Sequence, residues 1–196
     1  MYTLFLTFKE AVGLPALREA LIYTPDRAHD PFLNDGAPPS MVMQGYFASL
    51  SQLEDFSRNN QQLSCAAQAL TVHPFPVPDP QIKAEPYCTY LVAYEGPAVD
   101  ENAWHAHYLA QHPPIMARLP GIRRLEVYLP IEWSCPAAWR RETCMQRNKV
   151  AFDDAAALTA ALDSPVRREM RADYARLPAF SGAVKHYPML TRRLLS

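Results

Sequence analysis

Glycine is scarce in this chain, 6 residues in 196, and no cluster of it forms a loop able to cradle a phosphate. A serine-centred nucleophile elbow and a paired-carboxylate pattern are also lacking, which argues against nucleotide cofactors and hydrolase triads. Charge has no dominant sign: 19 basic side chains face 20 acidic ones. The pairs Arg123-Arg124, Arg140-Arg141, Arg167-Arg168 and Arg192-Arg193 are scattered among acids rather than stacked into a stripe. Nucleic acid is therefore not an expected partner. No apolar run approaches the roughly 18 residues of a membrane helix, so no membrane span is expected. The cysteines, Cys65, Cys88, Cys135 and Cys144, form no CxxC pair and no compact framework. Reduced thiols in a reducing, cytoplasmic compartment are the plain reading. Met1 to Phe8 is apolar but has no basic leader and is interrupted by Thr3 and Thr7, so it reads as a strand, not a signal peptide.

Apolar side chains make up 49% of the residues, enough for a core, and proline is frequent, at 19 residues. Prolines cluster in His73-Pro74-Phe75-Pro76-Val77-Pro78-Asp79-Pro80. Each removes a backbone donor and fixes φ, so the segment reads as an extended connector that cannot sit inside a helix or mid-sheet. A boundary there divides the chain into 1–80 and 81–196.

The two sides of this connector match in order. Tyr87 to Tyr94 pairs with Met1 to Phe8, both aromatic and β-branched runs suited to strands. Leu14 to Ile22 corresponds to a longer helical segment from Asp100 to Leu119. Met41 to Phe47, followed by the amphipathic Ala48 to Phe56, mirrors Cys144 to Phe152 followed by Asp153 to Leu162. Ser49 or Ser51 caps the first of these helices, and Asp153 or Asp154 the second. Ala66 to His73 and Ser181 to His186 are the last strands, each ending in a histidine near proline. The order in each half is β, α, β, β, α, β, the split βαβ or ferredoxin-like unit.

One such unit exposes a sheet face without helices, and residues such as Phe5, Tyr90, Val92 and Tyr94 are too apolar to leave in water. Two units bury those faces against each other. The fold class expected is α+β: two tandem ferredoxin-like units forming an intramolecular pseudo-dimeric α/β barrel. Homodimerisation beyond that is allowed but not specified.

The stretch Trp104-His-Ala-His-Tyr-Leu-Ala-Gln-His-Pro-Pro-Ile-Met-Ala-Arg-Leu-Pro-Gly-Ile-Arg-Arg124 resembles the signature of the EthD family, in which a His-aromatic pair and His-x-Pro-like residues lead to Leu-Pro-Gly and a basic strand. The Phe152-Asp153 turn and the Leu162-Asp-Ser-Pro165 link are also similar. The resemblance covers about residues 84 to 190; residues 1–80 lack the His-Pro and Leu-Pro-Gly elements at the matching place and match by topology alone, as a degenerate copy. It implies a dimeric ferredoxin-like barrel found near catabolic oxygenases or in polyketide pathways, whose relatives include cofactor-independent monooxygenases, lactone isomerases and cyclases. It also implies that the second half owns any active pocket.

On a helical wheel Trp104, Tyr108, His112, Ile115 and Leu119 share one stripe, which turns His112 toward the sheet. Pro113 and Pro114 withhold amides from carbonyls near Leu109 and Ala110 and should kink or break the helix there. His112 reads as a general base or acid of near-neutral pKa, or as a core histidine tied to a carbonyl. His105 and His107 lie on different sides of the helix, so no metal site is expected. His73 and His186 end the last strands, where they either share a cavity or, the favoured reading, are exposed. Along Arg123 to Leu129, alternation sends Leu125, Val127 and Leu129 to the helices and Arg124 and Tyr128 to the barrel interior. There they would hold a carboxylate or enolate, or else form a surface pair with Glu126 and an edge tyrosine. Trp133 and Trp139 flank Cys135-Pro136 in the loop between the central strands, as a lid over a flat ligand or as core closure.

The catalytic candidates are therefore His112, Arg124, Tyr128 and His186. The ligand-binding candidates are Tyr90, Tyr94, Trp104, Tyr108, Trp133 and His73. The expected function is a cofactor-independent enzyme moving a proton on a hydrophobic small molecule of aromatic, polyketide-like or lactone type, or a non-catalytic protein holding such a compound. No cofactor is expected; haem, used by some relatives of this barrel, has only buried histidines to recommend it.

Overall fold

The computed structural model describes residues 1–10, 13–15, 17, 20–31 and 35–194. The first unit contributes β1 (Tyr2–Phe8), β2 (Ala20–Pro25), β3 (Met41–Phe47), α1 (Leu50–Asn59) and β4 (Ala66–Phe75). The second contributes β5 (Tyr87–Tyr94), α2 (Glu101–Met116), β6 (Arg124–Pro130), the short β7 (Arg140–Arg141), β8 (Gln146–Phe152), α3 (Ala155–Leu162), α4 (Pro165–Tyr174) and β9 (Val184–Leu194). Each unit orders its strands fourth, first, third, second: β4-β1-β3-β2 and β9-β5-β8-β6. The second strand of each unit then pairs antiparallel with the fourth of the other, β2 with β9 and β6 with β4, and the eight strands close. The result is the α+β pseudo-dimeric barrel, closed within one chain.

Alternation along the strands sorts side chains between two faces. In β1, Leu4, Leu6 and Phe8 pack outward with Leu53 of α1, whereas Phe5 points into the barrel with Leu21, Tyr23, Val42, Leu70, Tyr128 and Met189. Tyr90, Val92 and Tyr94 take the other side from the one expected: they pack with Trp104 and Tyr108 of α2, outside the barrel. Strand β5 is apolar on both faces, so apolarity could not say which face meets the helices; pairing with β8 and β9 decides it.

Three further expectations are corrected. The helix expected over 14–22 meets strand β2 at Ala20–Ile22, where the backbone is claimed on both sides, by β3 and β9. Leu14, Pro15 and Leu17 have no regular structure, and positions 16, 18 and 19 lie outside the described residues. The proline connector is sheet at its start, since Pro74 and Phe75 pair with Glu126 and Leu125 of β6. The pairing with β1 has already ended at Thr71, so the missing Pro74 donor falls on an unpaired side. Helix α2 is not broken at Pro113-Pro114 but runs to Met116. It ends in the Leu-Pro-Gly turn, where Gly121 takes φ 74, a left-handed value that favours glycine and sends the chain back into β6.

The barrel interior carries a polar knot. Lys149 is fully buried and lies 2.9 Å from Glu126, which also accepts from the hydroxyls of Tyr46 (2.8 Å) and Tyr128 (2.5 Å). Lys149 in turn donates to the Tyr46 hydroxyl. Burial alone would raise Glu126, yet Lys149 and these hydrogen bonds outweigh it and hold the carboxyl below its usual range. Burial pushes Lys149 down to about 8 against the pull of Glu126.

Candidate functional site

A cavity of about 360 Å³ opens between the outward face of β5, β8 and β9 and the helices α2, α3 and α4. Its size fits a small-molecule site. Most of its wall is apolar, including Val92, Leu119, Val150, Leu158, Leu162 and Met170.

Helix α2 starts at Asp100, whose side chain accepts from the Ala103 amide, and its four-residue spacing stacks Trp104, Tyr108 and His112 on one buried face. The Trp104 and Tyr108 rings lie 4.9 Å apart and nearly parallel, and the Tyr108 and His112 rings are also 4.9 Å apart. Helix α4 begins with Pro165, where a missing amide costs nothing, and buries Arg167, Met170 and Asp173 at three-residue spacing. Packing of α4 on α2 brings Asp173 Oδ2 to 2.8 Å from His112 Nδ1. A carboxylate only accepts, so Nδ1 carries the proton and Nε2 is the nitrogen left for a ligand. His107 Nε2 lies 3.5 Å from the other Asp173 oxygen and makes no hydrogen bond to it.

A second dyad mirrors the first. His186 Nδ1 lies 2.7 Å from Asp35 Oδ2, which also accepts from the His186 amide at 2.8 Å. Burial lowers both imidazoles below 6.5; Asp173 and Asp35 pull the other way without restoring them. Both rings are therefore neutral at pH 7, with Nε2 as acceptor. Between the dyads, the Tyr90 hydroxyl donates to Asp30 Oδ2 (2.6 Å), which also pairs with Arg167 (3.0 Å). Burial and the Asp30 charge raise Tyr90 far above 10.0. Deeper in the wall, Asn148 Nδ2 donates to the Tyr108 hydroxyl at 2.6 Å.

Of the residues singled out from the sequence, His112, His186, Tyr90, Tyr94 and Tyr108 border this one cavity, and Trp104 backs it through Tyr94 and Tyr108. Tyr128 does face the barrel interior, so the sheet separates it from the cavity. Arg124 alternates with Leu125 and takes that same side of β6. His186 opens β9 rather than closing it, and its side chain is only 12% exposed, against the expected exposure. His73 stands far along β4, its Nε2 3.0 Å from Thr71 Oγ1, and does not line the cavity. Trp133 is no lid over this site. It packs with Trp139 and Leu53 on the first unit, because the β6–β8 loop is pinned to β4 by Ile131, Arg140 and Glu142 amides.

Sequence reasoning missed Asp173, Asp35, Asp30, Arg167 and Asn148. Arg167, Met170 and Asp173 carried a signal, a helical stripe with two charges on its buried side. Asp30 and Asp35 carried none, since they sit in the β2–β3 loop of the other unit.

No family model matches the chain, and no curated protein matches it. Among solved structures, an anthrone oxidase-like protein superposes with TM-score 0.62 at 13% identity, covering 98% of this chain and 92% of that one. A putative monooxygenase from Fusobacterium nucleatum gives TM-score 0.57 at 7% identity, covering 97% and 90%. An ethyl tert-butyl ether D (EthD) family protein from Bacillus halodurans matches 50% of this chain and 96% of its own at 19% identity, with TM-score 0.40, too low to add to the assignment. At these identities the likeness speaks for the fold alone: the chain is a pseudo-dimeric α/β barrel whose two halves lie in one polypeptide.

Proposed function

We propose that this protein is a cofactor-independent enzyme that moves a proton on a flat, hydrophobic small molecule of aromatic, polyketide-like or lactone type, with His112 as general base. The observation that carries the reading is the pair of imidazoles on one largely apolar cavity, each with Nδ1 held by a carboxylate. In such a dyad the carboxylate fixes the tautomer and stabilises the imidazolium that forms, so Nε2 can take a proton from an acidic carbon or a phenol. The apolar wall strengthens that electrostatic help by excluding water. His186 offers a second Nε2 that takes a proton or, once protonated, returns it elsewhere on the ligand. The anthrone oxidase-like and putative monooxygenase neighbours support small-molecule chemistry in general.

The apolar share of the wall also favours a second reading, a binding protein that holds such a compound unchanged. The two part in one experiment. Thermal-shift screening of aromatic and lactone panels is followed by product analysis and by His112→Ala. The enzyme reading expects turnover or exchange of an acidic C–H, lost in His112→Ala with binding retained. A ligand bound tightly but recovered unaltered by wild type, and equally by the variant, leaves the binding protein.

A further inference from the structure

Arg167 lines the cavity, is 7% exposed, and among the described residues contacts one carboxylate, Asp30, through its Nη2. Its Nε–H is buried with no acceptor among the described residues. A buried guanidinium proton left without an acceptor is costly and rare, and calls for one. The other polar groups around the cavity narrow what that acceptor is. His112 and His186 have spent their Nδ1 protons on carboxylates and present only acceptors. The Tyr90 proton goes to Asp30, and Tyr94 turns its hydroxyl toward Tyr108. A ligand oxygen entering here therefore meets bases on two sides and, in Arg167 Nε–H, a buried cationic donor that no described residue claims. Arg167 is also within electrostatic reach of His112, His186, Tyr90 and Tyr94, which places its charge centrally among them.

We infer that Arg167 is the ligand's oxygen-binding residue, and that the substrate is a carbonyl compound with an acidic C–H beside the carbonyl. This rests on the proton-transfer reading and names its substrate class. His112 Nε2 takes the proton, the C–H electron pair forms the new C=C bond, and the carbonyl π pair moves to oxygen. The enolate oxygen so formed accepts from Arg167 Nε–H, while Asp173 stabilises the imidazolium. No electron is gained or lost. Arg124, behind the sheet, does not take this part.

The test uses 2-tetralone, an acceptor-only ketone with an acidic benzylic C–H, and tetralin, which has a methylene in place of the carbonyl. Dissociation constants of both are measured by calorimetry for wild type, Arg167→Met, Arg167→Lys and Tyr108→Phe. Expected is a fall of about tenfold in the preference for the ketone, equal to about 1.4 kcal/mol, in both Arg167 variants. Tetralin affinity should hold, which certifies an intact cavity. An unchanged preference in the Arg167 variants, its loss in Tyr108→Phe instead, or no measurable binding of 2-tetralone by wild type overturns the inference. Deuterium uptake at the acidic carbon, followed by NMR, reads the proton-transfer proposal separately. Arg167-dependent preference without exchange defeats catalysis and leaves the assignment of the oxygen site.

Discussion

Asp35 Oδ2 lies 2.7 Å from His186 Nδ1 across 151 positions of sequence, joining the β2–β3 loop of the first unit to the last strand of the second. Asp30 repeats the relationship through Tyr90 and Arg167. The first unit has no stretch like Trp104 to Arg124 but supplies two carboxylates that bond cavity residues of the second. The site belongs to the barrel, not to residues 81–196 alone.

Replacing Asp35 with alanine should remove both hydrogen bonds to His186 and cost about 2 kcal/mol of stability, the scale of bonds to a charged group. Asp35 is what pulls His186 up against burial, so the residual pKa should move further down. Urea denaturation and NMR titration of the imidazole resonances check the two effects; an unmoved His186 titration refutes the dyad.

Proton abstraction by His112 requires the neutral ring. Its folded pKa lies below 6.5, so exchange activity should rise with pH below 6.5 and be flat at pH 7. Asp173 raises that pKa, so Asp173→Ala should shift the acid limb lower still. The plateau should drop on the order of 10²-fold, because the tautomer is no longer fixed. A pH–rate profile whose acid limb moves upward in the variant contradicts this assignment.

Stability should carry the same signature. The unfolded chain protonates His112 and His186 near 6.5, while the folded chain resists, so the unfolded state binds more protons as pH falls. Their contribution is full above 6.5 and is lost from there downward to the folded values. Denaturation midpoints at pH 7.5 and pH 5.5 should show the decline, and it should shrink in His112→Gln/His186→Gln.

Trp133→Ala should destabilise the fold by about 3 kcal/mol or more, through loss of its packing with Trp139 and Leu53. Affinity for 2-tetralone should not change. A weakened ligand with an intact fold would restore the lid.

Lys149→Met should leave Glu126 charged and unpaired in the barrel, at a cost of about 3 to 5 kcal/mol. The double variant Glu126→Gln/Lys149→Met should recover much of it, as read by chemical denaturation. A double-variant loss equal to the sum of the losses in Glu126→Gln and Lys149→Met would show that the pair is not coupled.

Local patterns were enough to read the strands β1, β3, β5, β6 and β8, caps for α1 at Ser49 or Ser51 and for α3 at Asp153 or Asp154, of which Ser49 and Asp154 cap, and the burial of His112. They failed where two local answers compete. Leu14 and Leu17 have helical spacing and pack with the first-unit core, yet the chain from Ala20 onward is taken by strands on both sides. The apolar faces of β5 gave no preference between barrel and helices.

Periodicity, capping and turn chemistry act over a few residues, so the amino-acid order could determine most strands and helices, β2 excepted, and which side of α2 is buried. The charge partners of His112 and His186 are 61 and 151 positions away, beyond any such pattern. Only barrel closure and the packing of α4 on α2 bring them within hydrogen-bonding reach, and with them the acid–base character of the cavity.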